Sequence, residues 1–332
     1  MPKQLTVGKV RGLAQIADRE GIFAMCAMDH RGSMQRMINR SEPEKVSSEV
    51  MTEYKLDLTE CLAPSSTAIL LDPIYGAAQA IVSGVLPGGV GLLVSLEETG
   101  YESDDRGRVT TLLPDWSVEK IKRMGASAVK ILLYYRPDLA ENAAHQLEVV
   151  RQVSAQCVKW DIPFLIEPIA YPVSTAERDP SAFATQKTRL VVDSARDLTS
   201  LGIDVLKAEF PADMRFEHDE GKLRAACELL NEASVSPWIL LSAGVSIDEF
   251  ARQVKIACQA GASGFLGGRA IWEEAMHIGD RGERRKWLST VGADRLRRLH
   301  DIAGEYGRPW WKKWGVSVAD LAEITPDWYH AY

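Results

Sequence analysis

Apolar residues in this chain come in short, nearly continuous runs rich in Val, Ile and Leu, each followed by a longer segment of helical character. Eight runs stand out: Ile22–Asp29, Thr67–Asp72, Val90–Leu96, Ala128–Tyr134, Pro163–Pro168, Asp204–Phe210, Pro237–Ser242 and Ser263–Gly268. Continuous rather than alternating hydrophobicity over so few residues suits parallel strands covered on both faces. The chain between successive runs is long enough for a crossover helix. Eight such units within 332 residues predict an α/β fold, a (β/α)8 barrel read as a single domain over 1–332. A doubly wound open sheet competes less well, because no Gly-x-Gly-x-x-Gly follows the first run.

Local punctuation agrees with this division. Ser246-Ile-Asp-Glu249 reads as a capping box that opens the helix after the seventh strand. Gly125, Gly202 and Gly261 fall where a helix ends just before a strand and a left-handed cap is wanted. The longest loops after strands, about 97–115, 169–184 and 212–221, leave strand C-termini, the face on which barrel enzymes carry their chemistry. From about residue 287 the chain becomes an aromatic-rich extension with Trp310-Trp311-Lys-Lys-Trp314 and Trp328-Tyr-His-Ala-Tyr332, expected to pack on the barrel or a partner subunit.

Composition narrows the function classes. A hydrophobic content of 46% with 26% charged residues describes a soluble globular protein. Five scattered cysteines without metal spacing read as reduced thiols of a cytoplasmic protein. No signal peptide or membrane-length apolar run is expected. The net charge of −7 gives no general footprint for nucleic acid, so an anionic ligand would need locally supplied positive charge.

The polar residues inside the runs collect at their C-terminal ends, and a barrel brings those ends together. Lys207 lies in the sixth run, where an unpaired ammonium is costly and a neutral amine could attack a carbonyl to form an imine. Its bland reading is a structural lysine held charged by Glu209, two residues on along the same strand face. Lys130 in the fourth run would favour the neutral form of Lys207, and Glu167 between them could move protons. Asp29 ends the first run and is followed by His30 and Arg31, expected at the pocket rim. The seventh and eighth runs end in Ser242-Ala243-Gly244 and Gly267-Gly268-Arg269, whose small residues, helix start and arginine suggest a phosphate cradle. With one histidine, His30, at a strand end, no metal site is expected.

The stretches Ala27-Met-Asp29-His30-Arg31-Gly32, Leu70-Leu-Asp-Pro-Ile-Tyr-Gly76, Glu98-Thr-Gly-Tyr101, Val129-Lys130-Ile-Leu-Leu-Tyr-Tyr135, Asp161-Ile-Pro-Phe-Leu-Ile-Glu167, Ile203-Asp-Val-Leu-Lys207-Ala-Glu209, Leu241-Ser-Ala-Gly-Val-Ser246 and Gly268-Arg269-Ala-Ile-Trp272 span nearly the whole barrel. Together they resemble the class I tagatose 1,6-bisphosphate aldolases. The resemblance implies Lys207 as the Schiff-base lysine, Glu167 as the proton-transfer carboxylate, Lys130 as the second lysine and Asp29 as the strand-one acid. It implies no cofactor, a phosphorylated ketose as substrate, and a homodimer or higher homo-oligomer. His30, Arg31, Glu209, Ser242, Gly244, Gly268 and Arg269 are the expected substrate contacts. The chain departs from the family pattern in carrying His30 where that pattern has glutamine. The alternatives are a sulfofructose-phosphate aldolase and a non-catalytic sugar-phosphate sensor.

Overall fold

The computed structural model describes residues 4–99, 102–104, 107–322, 324–330 and 332. Gly100 and Tyr101 of the Glu98-Thr-Gly-Tyr101 stretch therefore lie outside the described residues. Eight parallel strands close into a barrel in sequence order: β1 (Phe23–Ala27), β2 (Ala68–Leu71), β3 (Gly91–Ser95), β4 (Ala128–Tyr134), β5 (Phe164–Ile169), β6 (Val205–Ala208), β7 (Trp238–Leu241) and β8 (Gly264–Gly267). β8 pairs back to β1 with Phe23 opposite Gly264. Each strand falls on one apolar run, and most runs overshoot by one residue at the N-terminal end and by one or two at the C-terminal end. There the polar residues turn out of the ladder and into the pocket. Among the described residues no helix is long and apolar enough to cross a membrane.

Alternation within each strand divides the core in two. Phe23, Met25, Leu70, Leu93, Ala128, Leu165, Val205, Ile239 and Leu266 fill the barrel interior. Their neighbours Ala24, Ile69, Val94, Val129, Ile166, Leu206 and Leu240 pack outward against the helices. The expected caps are present: Gly125, Gly202 and Gly261 have φ of 89°, 80° and 109°, and Ser246 Oγ accepts from the Glu249 N–H at 3.2 Å.

The floor of the barrel is closed by the two ends of the chain. The helix Val7–Ile16 contributes Leu13 and Ile16, and the C-terminal segment contributes Trp310 and Leu321. Trp310 N–H donates to Gly21 O at 3.0 Å, and Leu5 N–H donates to Leu321 O at 2.7 Å. The aromatic extension thus seals its own barrel, and burying one indole removes roughly 150–250 Å² from water. Within the loop after β3 lies an antiparallel hairpin, Glu102–Asp104 against Gly107–Val109, that the apolar pattern does not announce.

Candidate active site

Inward-facing polar residues begin one step above the interior layer of apolar side chains. Lys130 stands two residues above Ala128 on β4, Glu167 two above Leu165 on β5, and Lys207 two above Val205 on β6. The register of β5 with β6, Ile166 opposite Leu206, puts Glu167 level with Lys207. The two strands therefore deliver a carboxylate and an amine to the same height. Glu167 Oε1 is 2.7 Å from Lys207 Nζ, and its Oε2 is 3.1 Å from Lys130 Nζ. Lys130 Nζ also lies 2.6 Å from Asp29 Oδ2 and 2.9 Å from Glu97 Oε1. Lys207 is 4% exposed and Lys130 1%, so this cluster works largely out of water, where each charge contact is stronger.

The carboxylates differ in environment. Burial acts to raise the Glu167 pKa, but the charges of Lys207 and then Lys130 outweigh it and hold the group lowered. Asp29 is likewise pushed up by burial and held well below the ordinary carboxylate range by Lys130, His30 and Lys207. Glu97 goes the other way: burial raises its pKa, Lys130 opposes and Asp29 adds to the rise. Its Oε2 is buried without a hydrogen-bond partner, which suits a carboxyl that holds its proton more readily than its neighbours.

The end of β1 is pinned from outside the barrel. Lys55, fully buried on the helix Ser48–Leu62, donates to Met28 O at 2.5 Å and His30 O at 2.8 Å and pairs with Asp72 Oδ2 at 2.6 Å. Asp72 Oδ1 in turn accepts from the N–H groups of Ile74 and Tyr75. The Leu-Asp-Pro-Ile-Tyr-Gly stretch is thus a turn whose aspartate, through Lys55, fixes the backbone that carries Asp29. The His30 ring sits edge-on to Trp272 with centroids 5.1 Å apart, and the Trp272 indole donates to Ala27 O.

Burial, with Arg269, Lys55 and Lys207 adding to it, pushes the His30 pKa down to about 4 against the pull of Asp29. Because that lies below the unfolded value of 6.5, stability linked to His30 is complete above 6.5 and is lost as pH falls toward about 4. His30 is accordingly neutral at physiological pH. Replacing it with glutamine, which cannot titrate, is expected to leave the shape of the kcat/KM profile between about pH 5 and 8 unchanged. A profile whose midpoint moved would show that His30 titrates there.

At the far side of the mouth, Ser242 Oγ accepts from Gly268 N–H at 3.3 Å and links the ends of β7 and β8. Gly244 has φ of 76°, and a Cβ there would stand 2.9 Å from Arg269 Cζ, so glycine is what lets the guanidinium lie against this turn. Ala243 beside it, with φ of 48°, holds a left-handed conformation that costs a residue with a Cβ about 1–2 kcal/mol. Strain of this kind is often stored at ligand sites. Ser242, Gly244, Gly268 and Arg269 are therefore gathered at one corner.

Sequence and a closed parallel barrel with this cluster at its C-terminal mouth point the same way as the family comparison. The sequence model of the DeoC/LacD family aldolases matches residues 23–274, from the first strand to beyond the last. The chain belongs to the DeoC/LacD aldolase family. This aldolase is 33% identical over 329 residues to the tagatose 1,6-diphosphate aldolase of Listeria monocytogenes serotype 4b (strain CLIP80459), covering 94% of this chain and 96% of that one. Among solved structures, the fructose-bisphosphate aldolase of Plasmodium falciparum, in complex with TRAP and a small-molecule inhibitor, superposes with a TM-score of 0.71 at 13% identity, covering 92% of this chain and 98% of that one. An archaeal fructose-1,6-bisphosphate aldolase, with its catalytic lysine covalently bound to the carbinolamine intermediate, gives 0.56 at 20% identity, covering 90% and 99%. At these identities the two structures establish the fold alone.

In this aldolase, one expected partnership is corrected. Arg31 is buried rather than exposed: its Nη2 donates to Glu97 O at 2.5 Å and its Nη1 lies 3.5 Å from Glu98 Oε1, while Nε and Nη1 have no hydrogen-bond partner among the described residues. The backbone turns at Arg31 into the short helix Gly32–Ile38, which carries the side chain inward under the loop after β3. Glu209 does not partner Lys207. β6 ends at Ala208, so strand alternation stops before Glu209, whose carboxylate accepts from Ala170 N–H at 2.8 Å and lies 3.9 Å from Lys187 Nζ. Two members of the assembly, Glu97 and Lys55, were not anticipated.

Proposed function

We propose that this aldolase, acting as a single catalytic domain in the cytoplasm, cleaves tagatose 1,6-bisphosphate through an imine on Lys207, without metal or cofactor. The observation that carries the reading is the Glu167 carboxylate, with one oxygen on each lysine at 2.7 and 3.1 Å. Glu167 takes a proton from the Lys207 ammonium, the freed amine adds to the C2 carbonyl, and Glu167 returns that proton to the carbinolamine hydroxyl, which leaves as water. A base then takes the C4 hydroxyl proton while the C3–C4 bond breaks and its electrons enter the iminium. Glyceraldehyde 3-phosphate leaves. The enamine is protonated at C3, and hydrolysis frees dihydroxyacetone phosphate and Lys207. Glu167 is within direct proton-transfer reach of the nitrogen throughout. Asp29 and His30 would face the sugar hydroxyls, and Lys130, held by three carboxylates, supplies the positive charge at the point where they converge.

The phosphate nearest the imine carbon would rest on Ser242, Gly244, Gly268 and Arg269. Arg269→Ala is expected to raise KM and lower kcat/KM by roughly ten-fold or more, because a charge-assisted hydrogen bond contributes about 1.5–3 kcal/mol. Unaltered steady-state constants would remove the arginine from the cradle. The reading as a whole is tested by borohydride reduction in the presence of dihydroxyacetone phosphate, followed by peptide mass mapping. A stable adduct on Lys207 is expected. Coupled assays with tagatose, fructose and sulfofructose phosphates then rank the substrates; no turnover of any of them would leave a binding protein rather than an enzyme.

A further inference from the structure

The Asp29 carboxylate meets Lys130 at 2.6 Å, deep in the pocket. Yet the last backbone bond that ties its strand into the sheet, among the described residues, comes one residue earlier, from Met28 N–H to Leu70 O at 2.8 Å. Something other than the ladder must hold the peptide groups on either side of Asp29. We infer that Lys55, with Asp72, is a positioning residue for the cleavage reaction: it never meets the substrate, and it acts by fixing the direction in which Asp29 enters the pocket. The inference rests on the Schiff-base reading above, in which Asp29 faces the sugar hydroxyls.

The grip itself is the first support. Lys55 Nζ donates to Met28 O at 2.5 Å and to His30 O at 2.8 Å, the carbonyls immediately before and after Asp29. Its remaining N–H is directed at Asp72 Oδ2, 2.6 Å away. An ammonium has three donors, so all of them are engaged. Neither Lys55 nor Asp72 has exposed surface, which keeps the lysine out of reach of any ligand and strengthens its bonds by excluding water. Asp29 is thereby held between two lysines, by the neighbouring carbonyls from outside the barrel and by its own carboxylate from within. An ion pair that served packing alone would not need to direct two of its three donors to the carbonyls flanking one pocket residue.

The second support is that both ends of the grip are fixed. One turn along the helix from Lys55, Thr59 Oγ1 donates to Lys55 O at 2.8 Å and lies 3.8 Å from Met28 Sδ. The same helix is fastened elsewhere by the buried Asp57, which accepts from Arg281, Arg284 and Arg285. At the other end, Asp72 Oδ1 accepts from the N–H groups of Ile74 at 2.9 Å and Tyr75 at 2.8 Å, and Asp72 O accepts from Ala77 N–H at 2.9 Å. A Cβ at Gly76 would stand 2.8 Å from Leu71 Cδ2 and 3.3 Å from Lys55 Cδ, so the glycine of this turn leaves room for the lysine stem.

The test is a double-mutant cycle between this pair and Asp29 in the full-length protein, with tagatose 1,6-bisphosphate as substrate. Lys55→Met/Asp72→Asn removes both charges together, so neither is left buried alone, and the asparagine can still accept from Ile74 and Tyr75. It is expected to lower kcat roughly ten-fold or more, with KM changed by less than about three-fold. Asp29→Asn is expected to lower kcat by roughly a hundred-fold. Adding the pair's substitutions to Asp29→Asn should then lower kcat by less than about two-fold more, since a misdirected asparagine has no acid–base role left to lose. Borohydride trapping of dihydroxyacetone phosphate, which has no C4 hydroxyl, should persist in every variant and reports that each is folded. A full further loss in the Asp29→Asn background, an unchanged kcat for the pair variant, or an unchanged kcat for Asp29→Asn would each overturn the inference while leaving the imine intact. Should the pair variant not fold, Asp72→Asn alone, which keeps the shape of the side chain and leaves Lys55 both carbonyls, is put through the same cycle and judged by the same criterion. Failure to trap the unaltered protein would overturn the Schiff-base reading and this inference with it.

Discussion

Lys207→Ala is expected to abolish both turnover and borohydride trapping. In the proposed mechanism the imine is the electron sink for the C3–C4 bond, and Lys130, the other lysine of the cluster, is surrounded by Asp29, Glu97 and Glu167 and so is poorly placed to replace it. Deletion of an essential nucleophile elsewhere costs about 10⁴-fold or more in kcat, and a comparable loss is anticipated. The fold should tolerate the change. Glu167 keeps Lys130 as a partner, so the variant leaves no isolated buried carboxylate, which would otherwise be strongly destabilising. A thermal melt close to that of the unaltered protein, together with loss of the adduct, is the expected pair of measurements. Near-native cleavage by the alanine variant would end the imine mechanism.

Glu167→Gln is expected to lower kcat by roughly a hundred-fold or more with KM little changed, the usual size of a general acid–base contribution. The amide preserves volume and can still accept from one lysine, so packing should hold. Electrostatics alone predicts a different result. Removing a negative charge that lies between two ammoniums favours the neutral amine, which would not slow imine formation. A fall in the plateau rate therefore isolates proton transfer from charge pairing. Glu209 provides the contrast. Burial raises its pKa, with Lys187 opposing, and its hydrogen bond goes to the Ala170 backbone away from Lys207. Glu209→Gln should alter stability more than rate. If Glu209→Gln lost turnover while Glu167→Gln kept it, the proton-transfer role would belong to Glu209.

The barrel was legible because parallel strands covered on both faces write themselves as continuous apolar runs, and the polar residues closing those runs are the ones that meet above the core. Lys130, Glu167 and Lys207 could be found this way, since each interrupts an apolar run at an inward position. Glu97 could not. It begins Glu97-Glu98 just beyond β3, and two adjacent acids at a loop start look like solvated surface; only closure of the barrel turns the first of them toward Lys130. Lys55 was hidden for another reason. It lies in Tyr54-Lys55-Leu56-Asp57, where a helix carries charge at spacings typical of an exposed face, and its burial depends on Asp72 from the next strand end. Glu209 was misplaced because it lies one residue past β6, where period-two alternation no longer says which way a side chain points.

The seal at the bottom of the barrel has a bearing on how the protein is made. Synthesis runs from the N-terminal end, so β8 is complete at Gly267 while Trp310 and Leu321, which close the interior beneath β1, have yet to emerge. Until they do, Phe23, Met25 and Leu13 face an open end, and Leu5 lacks the backbone partner it finds at Leu321. The ribosome must therefore release some fifty further residues, about 54 counted from Gly267 to Leu321, before the interior can be dry. A nascent chain arrested just after β8 would therefore present an open apolar floor, the kind of surface that a chaperone shields.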